Sequence, residues 1–96
     1  VVDASERADT AVEGDLAIAL ARDTTESGAY PIVLVSYQIV CTAYDDANTV
    51  DLIKDFVSYV ASEEGQAAAA DAAGSAPISD TLREDILASL ELITVK

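Results

Sequence analysis

The chain has 96 residues, of which 51% are hydrophobic, and its 18 acidic and 5 basic side chains give a formal net charge of -13 at pH 7. Such a surface repels nucleic-acid phosphates and anionic lipid headgroups, so we exclude nucleic-acid partners. Since the chain has no histidine and no calcium-loop pattern, most catalytic triads and metal sites are also excluded, and we expect neither an enzyme nor a cofactor.

The first third of the chain contains one predicted strand. Residues 1–14 carry only weak local signals and end at a glycine. Leu16, Ile18 and Leu20 then alternate with alanines, a period of two that predicts a strand over about residues 15–21. A polar, turn-rich stretch over residues 22–29 predicts a surface loop.

A mainly apolar stretch, interrupted by Ser36 and Gln38, follows Pro31 and extends from Ile32 to Val40. Because proline lacks an N–H group and fixes φ, it is suited to open a strand, and the β-branched run behind it predicts a second strand over about residues 32–42, buried on both faces. Cys41 ends this run, and we expect a buried thiol that behaves as a small hydrophobe. A disulfide with a cysteine outside this chain is the alternative, while a reactive thiol is disfavoured because no basic group lies nearby.

A first helix is predicted over about residues 47–62. Asp45 and Asp46 precede it and are expected to cap its N-terminus. Its apolar residues form one stripe with a wider border, and we expect nearly all of them to face the core. They are Val50, Ile53, Val57 and Val60 in the stripe and Leu52, Phe56 and Tyr59 in the border.

Two further helices are predicted over about residues 66–73 and 80–93. Gly65 is expected to break the first helix, and Gly74 is expected to stop the alanine-rich second one. Ser79 is a predicted N-cap of the third helix. The apolar stripe of the third helix consists of Leu82, Ile86, Leu90 and Ile93, with Leu87 beside it.

The arginines and tyrosines do not form a recognisable binding pattern. Arg7, Arg22 and Arg83 are far apart in sequence and no glycine-rich loop feeds a helix, so the residues alone do not predict a phosphate site. The tyrosines are expected to pack at the rim of the core with their hydroxyl groups at the surface. They are Tyr30, Tyr37, Tyr44 and Tyr59.

Four short motifs occur in an order and spacing that resemble a known family. They are Tyr30-Pro31-Ile32 continuing into Ser36 to Val40, Phe56-Val57-Ser58-Tyr59, Gly65-Gln66, and Ala76-Pro77-Ile78-Ser79. Together, from about Asp15 onward, they resemble the C-terminal part of the substrate-binding proteins of bacterial phosphate ABC transporters. The chain departs from that family at Ser75, where a tyrosine is usual, and at Ser79, where a second proline is usual.

The resemblance implies an α/β chain that forms the C-terminal portion of a type II periplasmic-binding-protein-like fold. Residues 1–96 would then be a single partial domain of a larger, two-lobed protein outside the cytoplasm, in the periplasm or lipid-anchored at the cell surface. That intact protein would bind inorganic phosphate and deliver it to an ABC permease in the membrane. The family's phosphate ligands lie upstream of the matching part, so no residue here is expected to contact the ligand.

The role implied for this chain is therefore structural, with a missing N-terminal portion or a self-associating copy as its partner. The alternative is a self-sufficient acidic α+β module that binds a protein. Its binding face would be the one formed by Val50 and Val57 or the one formed by Ile86 and Leu90.

Overall fold

The computed structural model describes all 96 residues, which form two compact units, Val1–Tyr37 and Gln38–Lys96. The chain is mixed α/β, with three helices and two small two-stranded sheets. In chain order the elements are β1 (Glu6–Arg7), β2 (Ile18–Ala19), β3 (Ala43–Tyr44), α1 (Ala47–Ala61), α2 (Glu63–Ala73), α3 (Asp80–Leu90) and β4 (Thr94–Val95).

The first unit is held by hydrogen bonds and has no buried core. Strands β1 and β2 are antiparallel, with Glu6 opposite Ala19. The Ser5 hydroxyl donates to the Val1 carbonyl at 2.7 Å and accepts the Ala21 N–H at 2.9 Å, which ties the start of the unit to the residues after β2. Since every side chain of this unit is half-buried or exposed, burial of apolar surface contributes little to its stability.

The second unit contains the hydrophobic core. Strands β3 and β4 are parallel, with Ala43 opposite Thr94, and parallel strands need a long crossover, which the three helices supply. Half-buried Tyr44, Ile53 and Ile86 pack against the core cluster. The buried hydrophobic residues are Val50, Val57, Ala61, Leu90 and Ile93.

Local capping fixes the ends of the helices, as the sequence predicts. The Asp46 carboxylate accepts the Asn48 N–H at 3.2 Å at the start of α1, and the Ser79 hydroxyl accepts the Leu82 N–H at 3.2 Å at the start of α3. Gly74 ends α2 with a φ of 69°, in the left-handed region where glycine carries no steric penalty. The α3 prediction is three residues too long, because the chain turns after Leu90.

The predicted helix break at Gly65 is wrong. The chain leaves the helical conformation at Ser62, whose backbone is extended, and α2 begins at Glu63 instead of residue 66. Gly65 is a buried residue in the first turn of α2. The serine hydroxyl accepts the Gly65 N–H at 3.0 Å and so acts as the N-cap of α2.

The first predicted strand is too long, and the second predicted strand does not form. Only Ile18–Ala19 of the predicted strand 15–21 is paired. Residues 32–42 form no strand, and the next strand begins at Ala43. A strand exists only where a second strand supplies its hydrogen bonds, and neither sheet contains a strand that pairs with this run.

Two burial predictions are also wrong. Cys41 is exposed, because the run that precedes it has no sheet in which to be buried. Leu52, Phe56 and Tyr59 of α1 are exposed as well, because the core lies against the opposite side of the helix, where Val50 and Val57 are buried.

Candidate interaction site

The unpaired apolar segment from Ile32 to Val40 is the first candidate site. Its backbone makes no backbone–backbone hydrogen bond, so its N–H and C=O groups, apart from the Val33 carbonyl that accepts from Arg22, are open to another strand. Leu34 is 95% exposed, Ile39 is 93% exposed and Ile32 is 76% exposed. A segment with this much exposed apolar area and open backbone is typical of a surface that a partner covers.

Side chains hold the two ends of this segment. One guanidinium nitrogen of Arg22 donates to the carbonyl groups of Pro31 and Val33, at 3.3 and 3.2 Å. The hydroxyl of Tyr44 accepts the N–H of Cys41 at 2.7 Å. No charged side chain lies between Ala29 and Tyr44, so the segment resembles a buried strand in composition even though it is exposed.

The outer face of α1 is the second candidate site. Leu52, Phe56 and Tyr59 recur at positions i, i+4 and i+7, which places them on one side of the helix. Their exposed fractions are 70%, 61% and 50%. Asp51 and Asp55 border this stripe along one edge, and both are exposed without an ion pair. We call the five residues the outer α1 face.

A polar junction joins the end of α1 to α2 and α3. The last carbonyl groups of a helix have no hydrogen-bond donor within the helix. At the end of α1, three side chains donate hydrogen bonds to them. The Ser62 hydroxyl donates to the Tyr59 carbonyl, the Gln66 amide to the Val60 carbonyl and the Arg83 guanidinium to the Ala61 carbonyl, at 2.6, 2.8 and 2.7 Å.

Gln66 and Arg83 each make a second contact at this junction. The Gln66 side-chain oxygen accepts the Ile78 N–H at 2.9 Å, so its amide links α1 to the connector before α3. Arg83 also pairs with Asp80. The sequence analysis does not predict this junction. The one local pattern that could have indicated it is the Gly65-Gln66 pair beside a helix end.

Each of the three arginines donates a hydrogen bond to a backbone carbonyl group. Arg7 donates to the Leu16 carbonyl at 3.3 Å, and Arg22 and Arg83 bind backbone carbonyl groups as described above. No group of three or more His, Cys, Asp and Glu side chains is placed to hold a metal ion.

An open cleft of about 300 Å³ in the first unit is lined by Asp3 and Glu26, whose carboxylates disfavour an anion.

None of the helices has both the length and the hydrophobicity required to span a membrane.

Comparison with known proteins supports a relationship to phosphate-binding proteins. The chain is 36% identical over 70 residues to phosphate-binding protein PstS2 of Mycobacterium bovis BCG and, equally, to phosphate-binding protein PstS 2 of Mycobacterium tuberculosis. The match covers 73% of this chain but only 18% of each relative. No family model matches the chain, and no solved structure matches it significantly.

Proposed function

We propose that this chain is a structural segment of an extracytoplasmic phosphate-binding protein that delivers inorganic phosphate to an ABC permease. The observation that carries the proposal is the unpaired apolar segment from Ile32 to Val40, where Leu34 and Ile39 are almost fully exposed. A hydrophobic segment with an unpaired backbone is the arrangement expected when the strands that would pair with it belong to another part of the protein.

Sequence similarity supplies the functional part of the proposal. The relatives are described as phosphate-binding proteins, and the chain matches 18% of their length. On this proposal the remaining part carries the phosphate ligands, while the present chain completes a lobe of a type II periplasmic-binding-protein-like fold. The carbonyl-bound arginines support a role without ligand contact.

Titration calorimetry with inorganic phosphate tests this function. A longer polypeptide that contains these 96 residues is expected to bind phosphate in the micromolar range, and the 96-residue chain alone is expected to bind no tighter than millimolar. Sulfate serves as the control for anion selectivity. No heat from the longer polypeptide would refute the transport function, and micromolar binding by the short chain would refute the structural role.

A self-sufficient interaction module is the second candidate function. The binding faces predicted for it are wrong, because Val50, Val57 and Leu90 are buried in the core and Ile86 packs against them. The outer α1 face favours the module instead, because Phe56 and Tyr59 are aromatic side chains of the kind enriched at protein interfaces. A short chain that stays monomeric and fully folded without any further sequence would favour this module over the transport protein.

A further inference from the structure

We propose that the outer α1 face docks an amphipathic helical segment of another protein, one with an apolar stripe bordered by lysine or arginine. This inference goes beyond the proposed transport function, because it uses neither phosphate nor the apolar segment, and it gives the second candidate function a partner of stated chemistry. It depends only on the second unit, whose core and caps define α1.

The apolar part of the face has the spacing used in helix recognition. Leu52, Phe56 and Tyr59 lie at i, i+4 and i+7, the positions from which a helix presents its anchors to a partner. All three are at least half exposed, and two of them are aromatic, so they expose on the order of 300 to 400 Å² together. That is the size of the largest apolar patch on a typical soluble protein, and such a patch is often functional.

The charges beside the stripe define the partner's chemistry. Asp51 and Asp55 are four residues apart on the same edge, where like charges repel each other in a helix. Neither has an ion pair, and the only cation near them in sequence, Lys54, makes none either. A cation from a partner would relieve this repulsion, and the net charge of -13 would steer such a partner toward the chain.

The nearest alternatives fit the face less well. A second copy of this chain, packed antiparallel on the same face, would bring the same two carboxylates of each copy together. An anionic lipid surface would be repelled by these carboxylates. A basic amphipathic helix satisfies both the apolar stripe and its acidic edge.

Fluorescence anisotropy with two synthetic peptides of about four helical turns tests the proposal. Both carry the same leucine stripe, and one has lysines along its edge where the other has glutamates. We expect the lysine peptide to bind and to weaken as salt is added, and the glutamate peptide not to bind. Equal binding of the two peptides would overturn the proposal.

Matched variants locate the binding to this face. The Phe56→Ser substitution should weaken binding of the lysine peptide about tenfold or more. The matched control, Leu87→Ser on α3, should have little effect. Asp51→Asn together with Asp55→Asn should weaken it about three- to tenfold. The control pair Asp71→Asn and Glu84→Gln changes the net charge equally on other helices.

Two results would contradict the assignment of this face. One is an equal loss of binding in the control pair, which would mean that general acidity attracts the peptide. The other is sedimentation that shows Phe56-dependent self-association of the chain. None of these experiments contains phosphate. A failure of the peptide to bind therefore does not refute the phosphate-binding function, and a failed phosphate titration does not refute the docking proposal.

Discussion

Replacing Gly65 by alanine should destabilise the second unit, although alanine is the better helix former. A Cβ atom at this position would overlap the carbonyl oxygen of Tyr59 and lie 3.1 Å from that of Val60. Ordinary contact begins at 3.4 Å, so the end of α1 and the start of α2 must separate. Both atoms belong to backbone, and neither can rotate away as a flexible side chain would.

The size of the effect follows from two opposing contributions. Overpacking of this kind costs about 3 kcal/mol when backbone has to move. Exchange of glycine for alanine inside a helix contributes about 1 kcal/mol of stability in return. The expected net loss is about 2 kcal/mol, which corresponds to a decrease in Tm of roughly 8 to 16 °C for a domain of this size.

Thermal unfolding followed by circular dichroism measures this effect. The matched control is the reverse exchange at an exposed site of the same helix, Ala68→Gly, which should cost about 1 kcal/mol through helix propensity alone. If Gly65→Ala leaves Tm unchanged or raises it, helix propensity dominates and the close approach between α1 and α2 is refuted.

Three further outcomes are expected, two from the second unit and one from the charge of the whole chain. Gln66→Ala removes two hydrogen bonds to backbone and should cost about 1 to 3 kcal/mol by urea unfolding, while a loss below a few tenths would contradict the junction. Leu90→Ala opens a cavity in the core and should cost about 2 to 5 kcal/mol in the same assay, with exposed Leu87→Ala as the milder control. Added sodium chloride should raise Tm, because it screens the repulsion among charges that sum to -13, and a fall in Tm would contradict this.

The helices could be predicted closely because their ends depend on nearby residues. Asp46, Ser79 and Gly74 each make a hydrogen bond or adopt a backbone conformation that their own residue type favours. A glycine in a helical run indicates a break on propensity alone, so the break predicted at Gly65 is wrong. A glycine is required at this position because its backbone closely approaches a carbonyl group of another helix. That is a tertiary contact, which no local sequence pattern shows.

The strands and the exposed face could not be predicted in the same way. The run from Ile32 to Val40 has the composition of a buried strand, but pairing depends on a second strand that composition does not specify. The periodicity of α1 indicates that two sides are apolar, and it does not tell which side meets the core. The structure places Val57 inside and Phe56 outside, although both belong to the same broad stripe.

Amide hydrogen exchange across residues 32–40 tests most directly whether this segment is a strand that the rest of a larger protein completes. The 96-residue chain, held at concentrations where sedimentation shows a monomer, should exchange these amides at nearly the rate of an unfolded peptide. In a longer polypeptide that contains the same residues, the amides of Leu34 and Ile39 should be protected together with the core. Equally fast exchange in both proteins would contradict the account.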